Sequence, residues 1–213
     1  MIKFVYFDVG GVAIKDFSGT KKWQVFKKLI SVKEKDNKEF DQLYDEYEKE
    51  ELNLTRHVDT LIPIFAKKFG INFPPGFSMF KYFIEHFEEN HSLWPILKRI
   101  KKTCGIGLLT NMYIGMLDDI KNKRLLPPIE WDVIIDSTRV GLQKPNPKIY
   151  ELAQKQCGVD NEEILFVDNS QKNIDAAKKL GWQTFFYDSS EHKESCKKLS
   201  KFFFTRNRLD TNQ

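Results

Sequence analysis

Several short stretches of the chain carry residue types that can do chemistry together. Asp8 follows the apolar run FVYF and is itself followed by Val9, Gly10 and Gly11. Thr110 and Asn111 end a second run, GIGLL, and Asp168 and Asn169 end a third, ILFV. Lys144 lies in LQKPNPKIY, where Pro145 and Pro147 restrict the backbone between a turn and a helix start. Two carboxylates and a loop glycine carbonyl are hard oxygen donors of the kind that hold magnesium. A lysine, a threonine hydroxyl and backbone amides opened by paired glycines suit a phosphate. A carboxylate can also attack phosphorus and carry it as an aspartyl-phosphate. Taken singly, each residue has a plain reading: a strand-ending acid, a solvated lysine, a helix-capping threonine. Together, in this order, they point to one site.

The elements that must position them follow from the apolar pattern. Lys3–Phe7, Gly105–Thr110, Trp131–Ile135, Ile164–Val167 and Thr184–Tyr187 read as buried strands. Helical patterns lie between them at Leu93–Lys101, Met112–Asn122, Ile149–Gln156 (stopped by Gly158) and Asn173–Leu180 (closed at Gly181). Strands alternating with helices predict an α/β fold with a doubly wound parallel sheet. In such a sheet the carboxyl ends of the strands share one edge, where ligands bind. Asp8, Thr110 and Asp168 are predicted to meet there, with Lys144 on a rigid loop beside them.

From residue 13 to residue 90 the texture changes to helices alone. Lys21–Ile30, Glu39–Glu51, Leu54–Phe69 and Phe77–Phe87 each carry an apolar face, with Thr55 as an N-cap, Gly70 as a stop and a proline loop at Asn72–Gly76. The expected organisation is a core of residues 1–12 and 91–204, an inserted all-helical cap at 13–90, and a polar tail at 205–213. The aromatic faces of the cap read as packing.

The chain has 213 residues, 41% of them hydrophobic, enough for one sizeable core with a smaller insert. Its 34 basic and 30 acidic residues are interleaved, giving a net charge of +4. That describes a solvated surface and argues against a nucleic-acid footprint. No apolar run is long enough to span a bilayer. The first strand begins at residue 2 with no leader before it, so a secretion signal is not expected. Cys104, Cys157 and Cys196 are an odd, widely spaced set, which suggests reduced thiols in a cytoplasm and no cysteine metal site.

The motifs FDVGGV, GLLTN, LQKPNPKIY and LFVDNSQKNIDAAKKLG resemble those of the haloacid dehalogenase-like (HAD) superfamily. The likeness runs from about residue 2 to about residue 200, in the branch with a small helical cap after the first strand. It implies a Rossmann-like core and a magnesium-dependent phosphatase acting on a small phosphorylated metabolite, such as a sugar phosphate. By that resemblance Asp8 is the nucleophile and a magnesium ligand, and the carbonyl of Gly10 is a second ligand. Gly10, Gly11, Thr110, Asn111 and Lys144 hold the transferring phosphoryl group. Lys144 also neutralises Asp8, and Asp168 or Asn169 completes the metal site.

The chain departs from the family pattern at two places. Phosphatases of this family usually carry a second aspartate two residues after the nucleophile, serving as acid and then as base; here that position is Gly10. Losing such a group typically costs about 10²–10⁴-fold in rate. Asp16 lies near enough in sequence to replace it, but reads more simply as a hinge acid facing solvent. The second departure is Asn169, a neutral amide where relatives often have a paired acid, which weakens a metal site. A binding or interaction protein with little or no turnover is therefore the alternative. A haloacid dehalogenase ranks last, because VGGV and VDNS lack that enzyme's Tyr-Gly-Thr and Ser-Ser-Asn.

Overall fold

The computed structural model describes residues 1–49 and 52–209. Strands β1 (Phe4–Phe7), β4 (Gly105–Thr110), β5 (Val133–Asp136), β6 (Ile164–Asp168) and β7 (Gln183–Phe186) form one sheet in the order β5-β4-β1-β6-β7. Every pairing in it is parallel. Two-residue strands β2 (Ile14–Lys15) and β3 (Glu88–Glu89) pair antiparallel outside that sheet. They were not legible beforehand, because two residues give no periodicity to read.

The period-2 geometry of β1 sorts the core into two layers. Val5 and Phe7 join a cluster with α6 (Trp94–Ile100), α7 (Met116–Asn122) and α11 (His192–Leu209). Phe4 and Tyr6 join another with α9 (Pro147–Cys157) and α10 (Gln171–Lys179). β1 is central and wholly apolar, so Asp8 is carried to the carboxyl edge by a strand buried on both faces.

Between β2 and β3 the chain is helical, with α1 (Lys22–Leu29), α2 (Asn37–Lys49), α3 (Leu52–Thr55), α4 (Leu61–Phe69) and α5 (Met79–Glu85). Its aromatic residues Phe26, Phe40, Phe65 and Phe83 belong to the same apolar cluster as one face of the sheet. The helix expected at Leu54–Phe69 is broken into α3, a 3₁₀ turn at Val58–Thr60, and α4. Pro63 is the reason: it has no N–H to give and its ring excludes a helical turn before it, so α4 starts only two residues earlier. Thr55 accordingly ends a helix and caps none, while Gly70 stops α4 at φ 64° as expected. Residues 50 and 51, which the sequence placed in the second helix, lie outside the described residues.

Two other boundaries moved. Residues 112–115 form a loop and turn where a helix was expected, so α7 begins only at Met116 after Gly115. The tail expected to fray is helical as far as Leu209, and residues 210–213 lie outside the described residues. Asn207 accepts from the backbone N–H of Ile2 at 3.1 Å, and Arg206 donates to Gln183 at 2.7 Å. These docking contacts hold the end of α11, which composition alone could not foresee. A short α8 (Ser137–Val140) completes the set, capped by Asp136 accepting from Thr138 N–H. The three cysteines are unpaired. No helix among the described residues is long and apolar enough to cross a membrane.

Glycine at 105 and 107 lets β4 lie beside aromatic residues of β1. Phe4 pairs with Gly105 and Tyr6 with Gly107, and a Cβ on Gly107 would stand 2.7 Å from the Tyr6 ring and 2.8 Å from the Val133 carbonyl. Gly107→Ala is therefore expected to cost about 1–3 kcal/mol by overpacking. Chemical denaturation of the variant against the parent checks this.

Candidate active site

The sheet edge brings Asp8, Thr110 and Asp168 together, as their positions at strand ends predict. The Lys144 ammonium bridges the acids, 3.0 Å from Asp8 Oδ1 and 2.7 Å from Asp168 Oδ2. Lys144 and Asp168 are fully buried, and Asp8 nearly so. Asp8 Oδ1 also accepts from the Val9 N–H at 2.7 Å. Asp8 Oδ2 has no such partner among the described residues, so one oxygen is held and the other is free to react.

The loop carrying Lys144 is clamped by Asn111. The Asn111 amide donates to the Lys144 carbonyl at 2.9 Å and accepts from its N–H at 2.8 Å. The Asn111 side chain thus positions the lysine. Thr110 behaves differently. Its hydroxyl is buried and has no hydrogen-bond partner among the described residues. A buried unpaired hydroxyl is costly, and this one leaves a hydrogen-bonding group unused at the sheet edge.

Asp168 was expected among the metal ligands. Both its oxygens are already engaged: Oδ2 by Lys144 and by Asn173 at 3.2 Å, Oδ1 by the Ser170 N–H at 2.7 Å and by Asn173 at 3.2 Å. In this structure it holds the lysine. Asn173 was missed in the sequence. Its signal was its place in the first turn of α10, five residues beyond Asp168, where a side chain can turn back to the strand end.

Asn169 donates its amide N–H to Ser189 Oγ at 3.0 Å, leaving its Oδ1 as an acceptor. Ser189 in turn donates to the Gly11 carbonyl at 2.7 Å. Gly11 sits at φ 72°, and a Cβ there would lie 2.2 Å from the Asn169 amide. Only glycine fits, for its backbone conformation and for this close approach. Among the described residues no group of three or more His, Cys, Asp or Glu side chains could hold a metal by itself.

Asp16 is not where a solvent-facing hinge acid would be. The chain turns back after Asp8, with Ala13 N–H donating to the Asp8 carbonyl and Ile14 N–H to that of Val9. This return places the Asp16 carboxylate against Gly10. Both line a cavity of about 370 Å³ whose other walls include Trp23, Tyr44, Phe83 and Tyr113. Tyr113 donates to Glu48 at 2.5 Å and shares a hydrogen bond with Tyr44, joining α2 to the loop after β4. The aromatic faces read as packing therefore also form this wall.

Burial pushes the Asp8 carboxyl up to about 6, because the opposing pull of Lys144 does not fully offset desolvation and the nearby Asp168. Burial opposes the Lys144 charge too, yet the two carboxylates prevail and raise its pKa. Burial likewise raises the Asp16 carboxyl, against the Ser18 N–H that its Oδ1 accepts at 2.8 Å.

With this geometry in place, comparison with known proteins is direct. A family model for haloacid dehalogenase-like hydrolases matches residues 2–181. The chain belongs to that hydrolase family. It is 29% identical over 129 residues to bifunctional epoxide hydrolase 2 of Sus scrofa, covering 56% of this chain and 23% of that protein. The chain thus spans under a quarter of that relative's length. Among solved structures, the HAD family enzyme bt-2542 of Bacteroides thetaiotaomicron superposes with a TM-score of 0.69 at 19% identity, covering 88% of this chain and 94% of that one. The same enzyme has been solved with magnesium and inorganic phosphate. The L-2-haloacid dehalogenase PA0810 superposes with a TM-score of 0.62 at 17% identity, covering 88% and 84%. These likenesses establish the fold.

A carboxyl whose pKa is raised on folding binds its proton more tightly in the native state than in the unfolded chain. The unfolded value lies near 4, so between about pH 4 and pH 6 Asp8 makes stability fall as pH rises, and above pH 6 the whole cost is present. Asparagine mimics the neutral acid. Asp8→Asn, in chelator and without phosphate, should melt at the parent's temperature near pH 4 and above it at pH 7–8. Thermal melts across that range check the sign.

Proposed function

We propose that the protein is a magnesium-dependent phosphatase of a small phosphorylated metabolite, working through an aspartyl-phosphate on Asp8. The observation that carries this reading is the buried Asp8–Lys144–Asp168 bridge with one Asp8 oxygen left free. Lys144 fixes the held oxygen and faces the position a phosphoryl group would take, while the unpaired Thr110 hydroxyl supplies a donor. The free oxygen attacks phosphorus as the bond to the leaving oxygen breaks.

Charge supports a divalent cation. Ionised Asp8 and Asp168 against one Lys144 leave a net −1 in a buried site, and a phosphate monoester brings about −2 more. A magnesium ion on Asp8, the Gly10 carbonyl and the Asn169 amide oxygen would offset that charge and polarise the phosphoryl oxygens. The bacterial enzyme of like fold solved with magnesium and inorganic phosphate supports the same assignment. The helical segment is proposed as the cap that closes over the substrate, since its aromatic side chains line the cavity beside Gly10.

A second reading has its own support. Only one carboxylate oxygen in the donor set, Asp8 Oδ2, is not already engaged by lysine or amide donors, which favours weak metal binding and a site that binds an anion with little turnover. Magnesium-dependent phosphate release from a broad panel, with a 2-haloacid included, separates a phosphatase, a dehalogenase and a binding protein.

Asp8→Asn should abolish phosphate release while the fold melts cooperatively; wild-type turnover in that variant would refute the nucleophile. Lys144→Ala should weaken phosphate or vanadate binding by about ten-fold or more and raise the magnesium requirement, since a hydrogen bond to a charged group is worth about 1.5–3 kcal/mol. Calorimetric titration with magnesium present measures both effects.

A further inference from the structure

The proton-transfer group that Gly10 cannot supply has a replacement in space. A Cβ built on Gly10 would lie 2.6 Å from Asp16 Oδ2 and 3.5 Å from Asp16 Cγ, so this carboxylate already fills the volume a longer residue at position 10 would claim. Nothing else lies within 4 Å of that point. The position is built by local structure. The backbone returns along Val9 and Asp8, and Gly10 bridges to Ile14. β2 is then held by β3, and Phe17 packs edge-on against Phe83 with ring centroids 5.1 Å apart. The Ser18 N–H holds Asp16 Oδ1 at 2.8 Å, and the Ser18 side chain adds a hydrogen bond to the same carboxylate. Asp16 Oδ2 lies beside Gly10 at the wall of the cavity that a leaving group would occupy.

We propose that Asp16 is the acid and base of this site, taking from a neighbouring strand end the role that position 10 lacks. This rests on the phosphatase reading. As Asp8 Oδ2 bonds to phosphorus and the ester P–O bond breaks, the Asp16 carboxyl gives its proton to the leaving oxygen and an alcohol departs. The Asp16 carboxylate then takes a proton from a water whose oxygen bonds to phosphorus. The bond between phosphorus and Asp8 breaks, phosphate leaves, and Asp16 is again protonated. Every proton and electron pair is accounted for without a further reactant.

The experiment compares an alkyl phosphate, whose leaving group needs a proton, with p-nitrophenyl phosphate, whose leaving group does not. Asp16→Asn should lower alkyl phosphate turnover by about 10²–10⁴-fold. With p-nitrophenyl phosphate the same variant should release a burst near one equivalent of nitrophenolate and then slow, because formation of the aspartyl-phosphate persists while its hydrolysis has lost its base. Gly10→Asp alone should be poorly active, since two carboxylates compete for one space. Gly10→Asp combined with Asp16→Ala should recover turnover. Thermal melts show that each variant folds. Alkyl turnover unchanged in Asp16→Asn, or an equal fall on both substrates without a burst, would overturn the proposal. A parent protein that releases no nitrophenolate would instead overturn the phosphatase reading itself, because that substrate needs no acid.

Discussion

A lysine ammonium buried between two carboxylates is the interaction on which the site depends. Removing charges from water is costly, and a buried pair is repaid only by close geometry and satisfied hydrogen bonds. Here the geometry is supplied from many directions. β1 and β6 deliver the acids, Asn111 fixes the lysine backbone, and Asn173 and the Ser170 N–H complete Asp168. Burial and, after it, the nearby Asp168 raise the Asp8 carboxyl despite Lys144, and the ionised bridge leaves one negative charge in excess. The site is therefore strained in charge until a cation or a proton arrives.

The same constraint explains a division of labour among the acids. Asp168 is committed to Lys144, and Asp8 keeps one oxygen free. Asp16, with a raised carboxyl of its own, lies against Gly10. A side chain at position 10 would meet the Asp16 carboxylate, which would have to move aside. The cavity wall follows from the same placement, because β2, which places Asp16, also starts the helical segment whose Trp23, Tyr44 and Phe83 face the opening. The Tyr113–Glu48 hydrogen bond ties that segment to the loop after β4, so cavity and catalytic edge share one frame.

Much of this architecture was written in the sequence. The wholly apolar strands of a parallel sheet are hard to mistake, and a polar residue directly after one must lie at the sheet's ligand-binding edge. Asp8, Thr110, Lys144 and Asp168 were placed on that logic, and the core's strand and helix order with them. The errors fell where local pattern is weak. The two-residue strands β2 and β3 are too short to show periodicity, and Pro63 cut a helix that the apolar spacing alone made continuous. The last turns of α11 owe their order to contacts with Ile2 and Gln183, distant in sequence.

The sequence by itself determined which residues reach the sheet edge, because strand length and hydrophobicity dictate where a buried strand must stop. It could not decide what each group does there. Whether Asp168 faces a cation or a lysine depends on Asn173 and the Ser170 N–H turning back from α10. Whether Asn111 meets a ligand or clamps a loop depends on where that loop packs. Asp16 read as a hinge acid because sequence distance says nothing of the backbone's return, and only the tertiary structure brought its carboxylate to the place beside Gly10. Strand ends are local and leave their mark in composition, whereas hydrogen-bond partners are chosen by packing across the chain.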